Sequence, residues 1–259
     1  MSQSNYHCYK IVMCLSLCLL VACDAIARSS KTQLSFAVNT PGTVPYLYYA
    51  EETDEYRGVV PDLFKLLEQN TALRIKFVDS HRNRSENLVY RGEIDMFLSS
   101  VEWISAPDAV IASVPLLEHR SFLYAVEAFS DNFDLSTQRD LKVCTRRGFT
   151  YPTLKPLFST GQLLRIDSRS HDSMLKMLFR GRCDLAEINE HNANALLGAN
   201  GVRPPTIYKS PEPTSVVQLS LLLHPSLIEQ RQQLNQVITA FKQSGDFQRS
   251  LDTHSAQDR

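Results

Sequence analysis

The chain has 259 residues, of which 43% are hydrophobic, and its formal net charge at pH 7 is −1. This length is sufficient for one large domain or for two modest lobes, each with its own apolar core. The sequence has no basic stripe and no large charge excess, so we expect no nucleic-acid partner.

The N-terminal residues have the pattern of an export signal. Lys10 precedes an apolar run, Ile11 to Ala22, that suits a signal peptide and is too short to span a bilayer. The run ends in Leu20-Val21-Ala22-Cys23, which resembles a bacterial lipobox. Ordinary cleavage after Ala25-Ile26-Ala27 and an uncleaved membrane anchor are the alternatives. We expect residues 1–22 to be removed and Cys23 to be lipidated. The protein would then lie in the periplasm and touch the inner membrane only through its lipid.

The cysteines agree with export. Three of the six, Cys8, Cys14 and Cys18, lie in the predicted signal peptide, and Cys23 would carry the lipid. Cys144 and Cys183 remain, and in an oxidising compartment they would form a disulfide; two buried free thiols are the alternative. The sequence has no Cys-x-x-Cys pair and its histidines are scattered, so we expect no metal and no cofactor.

Strand-like and helix-like runs alternate along the first part of the chain. In order they are a strand at Leu34–Val38, a helix at Pro61–Gln69, a strand at Arg74–Val78, a short helix at Ser85–Arg91 ended by Gly92, and a strand at Asp95–Leu98. The order strand, helix, strand, helix, strand predicts a parallel sheet with crossover helices.

A second, smaller unit follows. Its predicted elements are a strand at Leu141–Cys144, a turn at Gly148–Thr150, a strand at Leu163–Ile166, a helix from Asp172 to Arg180 with Asp172 as its N-cap, a strand at Asp184–Ile188 and a helix at Glu190–Leu197. Two apolar or β-branched runs, Phe122–Val126 and Ser215–Leu223, bracket this unit. They predict two crossings between a first lobe of residues 31–126 plus 216–259 and a second lobe of residues 127–215.

The last predicted element begins at Ser226. Ser226 and Glu229 have the spacing of a capping box, and an apolar stripe of helical period follows at Leu234, Val237, Ile238 and Phe241. We expect this helix to return to the first lobe. The polar tail from Thr253 is expected to fray.

Several short motifs together resemble one known family. They are Val44 to Tyr48, the G-x-x-x-D-L pattern within Tyr56 to Leu63, the G-x-x-D pattern of Arg91 to Asp95, its second copy in Phe179 to Asp184, and Ser113 to Leu116. Their order over residues 33 to 250 resembles the family 3 extracellular solute-binding proteins of polar amino acid transporters, which are type 2 periplasmic binding proteins. The resemblance implies a two-lobed α/β fold, with each lobe a mostly parallel sheet flanked by helices and two hinge crossings.

The same resemblance implies a ligand site in the cleft between the lobes. In the first lobe it points to Tyr46, Tyr48 and the loop residues Ser99, Ser100, Glu102 and Trp103. The alternative for the aromatic residues is ordinary core packing. In the second lobe Arg147, Gly148, Phe149 and Thr150 are expected to open a helix whose free N–H groups favour an anion. Asn189 and Glu190 follow a strand end at which the family places an acidic ligand-binding residue. A solvent-facing Arg147 and helix capping by Asn189 are the alternatives.

The sequence departs from the family where ligand identity is decided. The arginine that usually clamps a ligand carboxylate is absent from Ile104 to Ala109, and Thr43 and Thr40 replace an aromatic and an acidic residue. The ligand therefore need not be an ordinary α-amino acid. Glu102 would suit a cationic or polyhydroxylated molecule.

The function that these features favour is capture of a small polar molecule, an amino acid or related compound, for an ABC-type transporter, by a monomer that is not an enzyme. A ligand sensor that signals to a membrane partner instead of a permease is the first alternative. A cyclohexadienyl-dehydratase-like enzyme is the second, with Glu102, Glu187, Glu190 and His191 as candidate acids. No nucleophile-elbow, zinc-protease, P-loop or dinucleotide motif occurs.

Overall fold

The computed structural model describes residues 32–199 and 206–256. The predicted signal peptide, the lipidation site Cys23 and the alternative cleavage site after Ala27 lie outside the described residues. Within the described ranges, no helix is both long enough and apolar enough to cross a membrane.

The first half of the chain forms the predicted βαβαβ unit with a small three-stranded insertion. The elements are β1 (Gln33–Val38), β2 (Gly42–Thr43), β3 (Leu47–Ala50), β4 (Glu55–Arg57), α1 (Val59–Asn70), β5 (Arg74–Asp79), α2 (Arg82–Tyr90) and β6 (Met96–Ser99). β1 pairs in parallel with β6, with Phe36 opposite Met96. Strands β2, β3 and β4 form a separate antiparallel sheet between β1 and α1.

The second half repeats the arrangement on a smaller scale. Its elements are β7 (Ile111–Ala112), β8 (Leu117–Ala125), β9 (Lys142–Arg146), α3 (Lys155–Ser159), β10 (Leu164–Ser168), α4 (His171–Phe179), β11 (Leu185–Asn189), α5 (Glu190–Ala199) and β12 (Tyr208–Lys209). β9 pairs in parallel with both β10 and β11. The predicted parallel order is therefore confirmed in both halves.

Two nine-residue strands link the halves, β8 and the predicted run β13 (Ser215–Leu223). The strand order is β10-β9-β11-β8-β13-β6-β1-β5. The first part of β13 pairs with β8, and Ser220–Leu223 pair with β6. The later part of β8, Ser121–Tyr124, pairs with β11. Each long strand thus belongs to both halves of the sheet, which is the arrangement expected of two crossings.

Each half has its own apolar core. The larger core packs Phe36 of β1 and Leu63 of α1 against Ile238 of the helix α6 (Ile228–Gln243). In the smaller core the Sγ atoms of Cys144 and Cys183 are bonded, with the Cα atoms 5.7 Å apart. Both cysteines are buried, and the bond joins β9 to the chain entering β11.

The C-terminal helices pack on the first half, and the last of them also contacts α5 of the second half. The predicted stripe Leu234, Val237, Ile238 and Phe241 is buried, as expected. The predicted fraying from Thr253 is wrong, because α7 (Asp246–Ala256) continues through it. His254 near its end is 6% exposed and lies 2.9 Å from the carboxylate of Asp62 in α1.

Three predicted local features are also wrong. Ser226 does not form a capping box, because a single 3₁₀ turn, Pro225–Leu227, precedes α6 and the Ser226 hydroxyl lies 2.7 Å from Nδ1 of His224. The N-cap of α4 is Ser170, which accepts a hydrogen bond from the Ser173 N–H; Asp172 instead pairs with Lys176. No helix opens at Gly148–Thr150, since the next helix begins at Lys155.

Candidate ligand-binding site

A cavity of about 160 Å³ lies where the carboxyl ends of strands from the two halves face each other. Open α/β sheets bind ligands outside these strand ends. Aromatic and apolar side chains, including Tyr46, Trp103, Phe149 and Leu219, form much of the wall. Polar side chains from both halves also line it, and those that can carry charge or donate strongly include Arg82, His119, Arg146, His171, Glu187 and Asn189.

Four of the residues expected in the site line this cavity: Tyr46, Trp103, Thr150 and Asn189. Trp103 packs edge-on against the ring of His119, with ring centroids 5.1 Å apart. Thr150 belongs to the turn after β9, and Phe149 beside it also faces the cavity.

The other expected residues lie elsewhere. Tyr48 does not line the cavity, and its hydroxyl lies 3.0 Å from Nδ1 of His254. Ser100 accepts a hydrogen bond from the Glu102 N–H at the start of a 3₁₀ turn, and Glu102 is exposed. The suggestion of a cationic or polyhydroxylated ligand that rested on Glu102 therefore loses its basis, because this carboxylate does not line the cavity.

The remaining candidates do not line the cavity themselves. Ser99 is buried and accepts a hydrogen bond from the Arg82 guanidinium at 2.7 Å, so it contributes to the wall indirectly. Arg147 and Gly148 are exposed. Glu190 forms an ion pair with Lys209 at 2.6 Å.

Asn189 joins the two halves and also begins a helix. Its Oδ1 accepts a hydrogen bond from the Tyr46 hydroxyl at 2.7 Å and another from the His191 N–H at 3.0 Å. Its Nδ2 donates to the carbonyl of Arg120. Asn189 can therefore cap the helix and line the cavity at the same time, because one amide side chain has enough donors and acceptors for both.

The turn that carries Tyr46 depends on two glycines. Gly42 has φ +88°, and a Cβ there would lie 2.1 Å from the carbonyl oxygen of Leu47. Gly58 has φ +121°, and a Cβ there would lie 2.6 Å from the carbonyl oxygen of Tyr46. Only glycine fits such close approaches at these dihedrals. The two positions keep the β2–β3 hairpin folded tightly beside the cavity.

The structure supplies two cavity guanidiniums that the sequence analysis missed. Arg82, the first residue of α2, donates to Ser99 and lies 3.6 Å from the carboxylate of Glu86. Arg146, the last residue of β9, is 4% exposed and donates to the Thr43 hydroxyl at 2.8 Å. Burial lowers the pKa of both side chains, but an arginine remains charged in proteins. Their positions at or just after the carboxyl ends of predicted strands were the sequence signal that could have found them.

Glu187 on β11 is a buried carboxyl group in the cavity wall. Its Oε1 accepts a hydrogen bond from the Thr214 hydroxyl at 2.7 Å, whereas its Oε2 has no partner among the described residues. Burial raises the pKa of Glu187 to about 7, against the smaller lowering effects of the Thr214 bond and of Arg165. This group therefore carries only part of a negative charge at neutral pH.

The cavity histidines are neutral at that pH. Burial lowers the pKa of His119 to about 3, with a further contribution from His191. The pKa of His171 is also lowered to about 3, first by burial and then by the charge of Arg146. With neutral histidines and a partly protonated Glu187, the cavity lining has an excess of positive charge from Arg82 and Arg146. Among the described residues, no group of three or more His, Cys, Asp or Glu side chains is placed to hold a metal ion.

No family model and no curated protein matches this sequence. Solved structures do match it. An amino acid ABC transporter substrate-binding protein, AbpA, from Streptococcus pneumoniae bound to L-arginine is 16% identical with a TM-score of 0.71, over 90% of this chain and 99% of that chain. The GluR0 ligand binding core in complex with L-glutamate is 12% identical with a TM-score of 0.70, over 87% and 99%. The periplasmic domain of B. pertussis BvgS is 14% identical with a TM-score of 0.69, over 89% of this chain and 44% of that chain.

These likenesses establish the fold. The chain has the two-lobed α/β fold of the type 2 periplasmic binding proteins, with mostly parallel sheets flanked by helices. Within that class, the structures similar to it include substrate-binding proteins of amino acid ABC transporters.

Proposed function

We propose that this chain is a periplasmic solute-binding protein. It captures a small polar molecule, an amino acid or a related compound, between its two lobes and presents it to an ABC-type transporter. The observation that carries the proposal is the cavity itself, which both halves line and which the hydrogen bond from Tyr46 to Asn189 spans. Ligand binding at such a site favours the closed arrangement by its higher affinity for that arrangement.

The proposed lobes are residues 31–126 with 216–259, and residues 127–215. The strand pairing of β8 and β13 supports two crossings. The proposed protein is a monomer without a cofactor, and it has no catalytic role. Of the four acids considered for an enzyme, only Glu187 lines the cavity.

The proposed location is the periplasm, with a lipid on Cys23 as the only membrane attachment. Fractionation of cells that express the full chain tests this point. The Cys23→Ala variant should move from the membrane fraction to the soluble periplasmic fraction, and an unchanged distribution would argue for another mode of attachment.

A thermal-shift screen of residues 24–259 against L-amino acids, small carboxylic acids, polyamines and sugars tests the binding role. A ligand that binds only the folded state, present at about 100 times its Kd, adds roughly 2.7 kcal/mol to the unfolding free energy, which raises the Tm by several degrees. At least one amino acid or related compound should give such a shift. A folded protein that shifts with none of them would contradict the proposal.

A ligand sensor that signals without transport is the second candidate. The likeness to the BvgS periplasmic domain favours it. Uptake of radiolabelled ligand by cells separates the two roles. Deletion of the gene should abolish uptake if the role is transport and should leave uptake intact if the role is signalling.

A further inference from the structure

Arg146 differs from Arg82, the other arginine that lines the cavity, in having no ionic partner. It projects from the carboxyl end of β9 and is almost fully buried. Within residues 32–199 and 206–256, no carboxylate lies within ion-pair distance of it. Arg82 is different, since Glu86 lies 3.6 Å away and balances its charge. A buried charge without a counter-charge is costly, so proteins pair such groups or use them.

The hydrogen bonds of Arg146 leave one edge of its guanidinium free. Nη1 donates to the Thr43 hydroxyl at 2.8 Å and lies 3.4 Å from the carbonyl oxygen of Gly42. Nε and Nη2 have no partner in the described part of the chain. These two nitrogens form the edge that binds a carboxylate through two parallel hydrogen bonds. The guanidinium carbon lies over the Phe149 ring, 4.8 Å from its centroid, and this packing orients the guanidinium plane.

The rest of the cavity restricts the size and charge of a ligand at this edge. About 160 Å³ of space admits a small molecule only. A single unpaired guanidinium balances one negative charge, and Glu187 in the same wall disfavours a second one as its carboxyl group ionises. His119 and His171 are neutral and add no positive charge. A monoanionic carboxylate fits these conditions better than a phosphate dianion.

We propose that Arg146 is the anion-binding residue of the cavity and that the ligand is a small molecule with one carboxylate, which docks on the Nε–Nη2 edge. This assignment rests on the proposed binding function. It places the anion on the β9 side of the cleft. Because Nη1 is held by the Gly42–Thr43 turn of the other half, the bound carboxylate also reinforces a contact between the lobes.

The experiment compares Arg146→Gln with its neighbour Arg147→Gln in residues 24–259. Arg147→Gln removes the same charge at the neighbouring position at the end of β9, but Arg147 is exposed. Isothermal titration would use L-amino acids and small monocarboxylates, the matching carboxamides, and inorganic phosphate. Carboxylates should bind the wild type and Arg147→Gln alike, and Arg146→Gln should bind them on the order of 100-fold more weakly. The carboxamides and phosphate should not compete.

Four outcomes bear on the proposal. Weakening in Arg146→Gln but not in Arg147→Gln supports it. If Arg146→Gln binds carboxylates as tightly as Arg147→Gln and the wild type do, the assignment is overturned and the binding function stands. A wild type that prefers phosphate or the carboxamides has the same consequence. A folded wild type that binds nothing in the panel overturns both. If Arg146→Gln does not fold, Arg146→Lys replaces it: this variant keeps the charge but loses the two-point edge, and full affinity in it would also overturn the proposal.

Discussion

At the scale of single residues, the carboxyl group of Glu187 links the cavity to folding stability. Its pKa rises from 4.5 to about 7 on burial, so between these values the folded protein holds a proton that the unfolded chain has lost. The contribution of Glu187 to the unfolding free energy therefore decreases as pH rises through this window and is constant above it. One pKa unit corresponds to about 1.4 kcal/mol, so the full effect of this residue is on the order of 3 kcal/mol.

Glu187→Gln should remove this effect, because an amide does not ionise and still accepts the hydrogen bond from Thr214. We expect the variant to gain stability relative to the wild type between pH 5 and pH 8, as measured by urea unfolding at both values. The titration of His119 and His171 is common to both proteins and cancels in the difference. Glu118→Gln, at an exposed position, is the matched control. The same stability difference at both pH values would contradict the assigned pKa.

The site could be predicted from the sequence only where backbone position decides which way a side chain points. Asn189 and Trp103 follow strand ends, and both line the cavity. Arg146 and Arg147 show the limit of this reasoning, because successive residues at a strand end point to opposite faces. A register uncertainty of one residue exchanges the exposed arginine for the buried one. The sequence alone did not fix that register.

At the scale of elements, a polar cluster attaches the last helix, α7, to the first half. His254 places Nε2 2.9 Å from the carboxylate of Asp62 in α1 and Nδ1 3.0 Å from the Tyr48 hydroxyl. Ser250, one turn earlier, donates to the same carboxylate at 2.7 Å. Partial burial acts to raise the pKa of Asp62, but the hydrogen bonds from His254 and Ser250 outweigh it and the pKa is lowered. The cluster therefore favours the ionised carboxylate and loses strength only in acid.

His254→Ala should loosen α7, because it leaves the Asp62 carboxylate and the Tyr48 hydroxyl with fewer partners. A lost hydrogen bond to a charged group costs roughly 1.5–3 kcal/mol, reduced here because Asp62 is partly exposed. Hydrogen exchange followed by mass spectrometry should show faster exchange in residues 246–256 and little change in β9–β11. Thr253→Ala, an exposed neighbour in the same helix, serves as control. Equal exchange in both variants would mean that the contacts of His254 are not needed to hold α7.

The strands and helices were predictable because the spacing of apolar residues along the chain reflects which positions are buried. The strand β13 was predicted over its full range, and β1, α1 and β5 to within two residues at each end. The helix caps were predicted less well, although Ser226 and Asp172 have capping chemistry: Ser170 caps α4, and no side chain caps α6. The persistence of α7 beyond Thr253 depends on Asp62, which lies far away in sequence, so local polarity gave no sign of it.

At the scale of the whole molecule, few polar contacts between described residues join the two lobes across the cavity. The Tyr46 hydroxyl donates to Asn189, and Arg146 donates to Thr43. The Tyr46 ring is buried, and burial raises the pKa of its hydroxyl above its ordinary value, so it remains a hydrogen-bond donor across the physiological range. These contacts exist only when the lobes are close together. Their strength therefore contributes to the free energy difference between closed and open arrangements, and through it to ligand affinity.

Tyr46→Phe should shift this equilibrium toward the open arrangement, because it removes one contact between the lobes and leaves the aromatic ring in place. One hydrogen bond contributes about 0.5–1.5 kcal/mol, so the affinity for a ligand of the cavity should fall by roughly 2- to 12-fold. Small-angle X-ray scattering without ligand should give a larger radius of gyration than for the wild type, and saturating ligand should remove the difference. Tyr49→Phe, whose hydroxyl pairs with Asp54 within the adjoining β3–β4 hairpin, is the control. An unchanged affinity together with an unchanged radius would show that the Tyr46 contact does not govern closure.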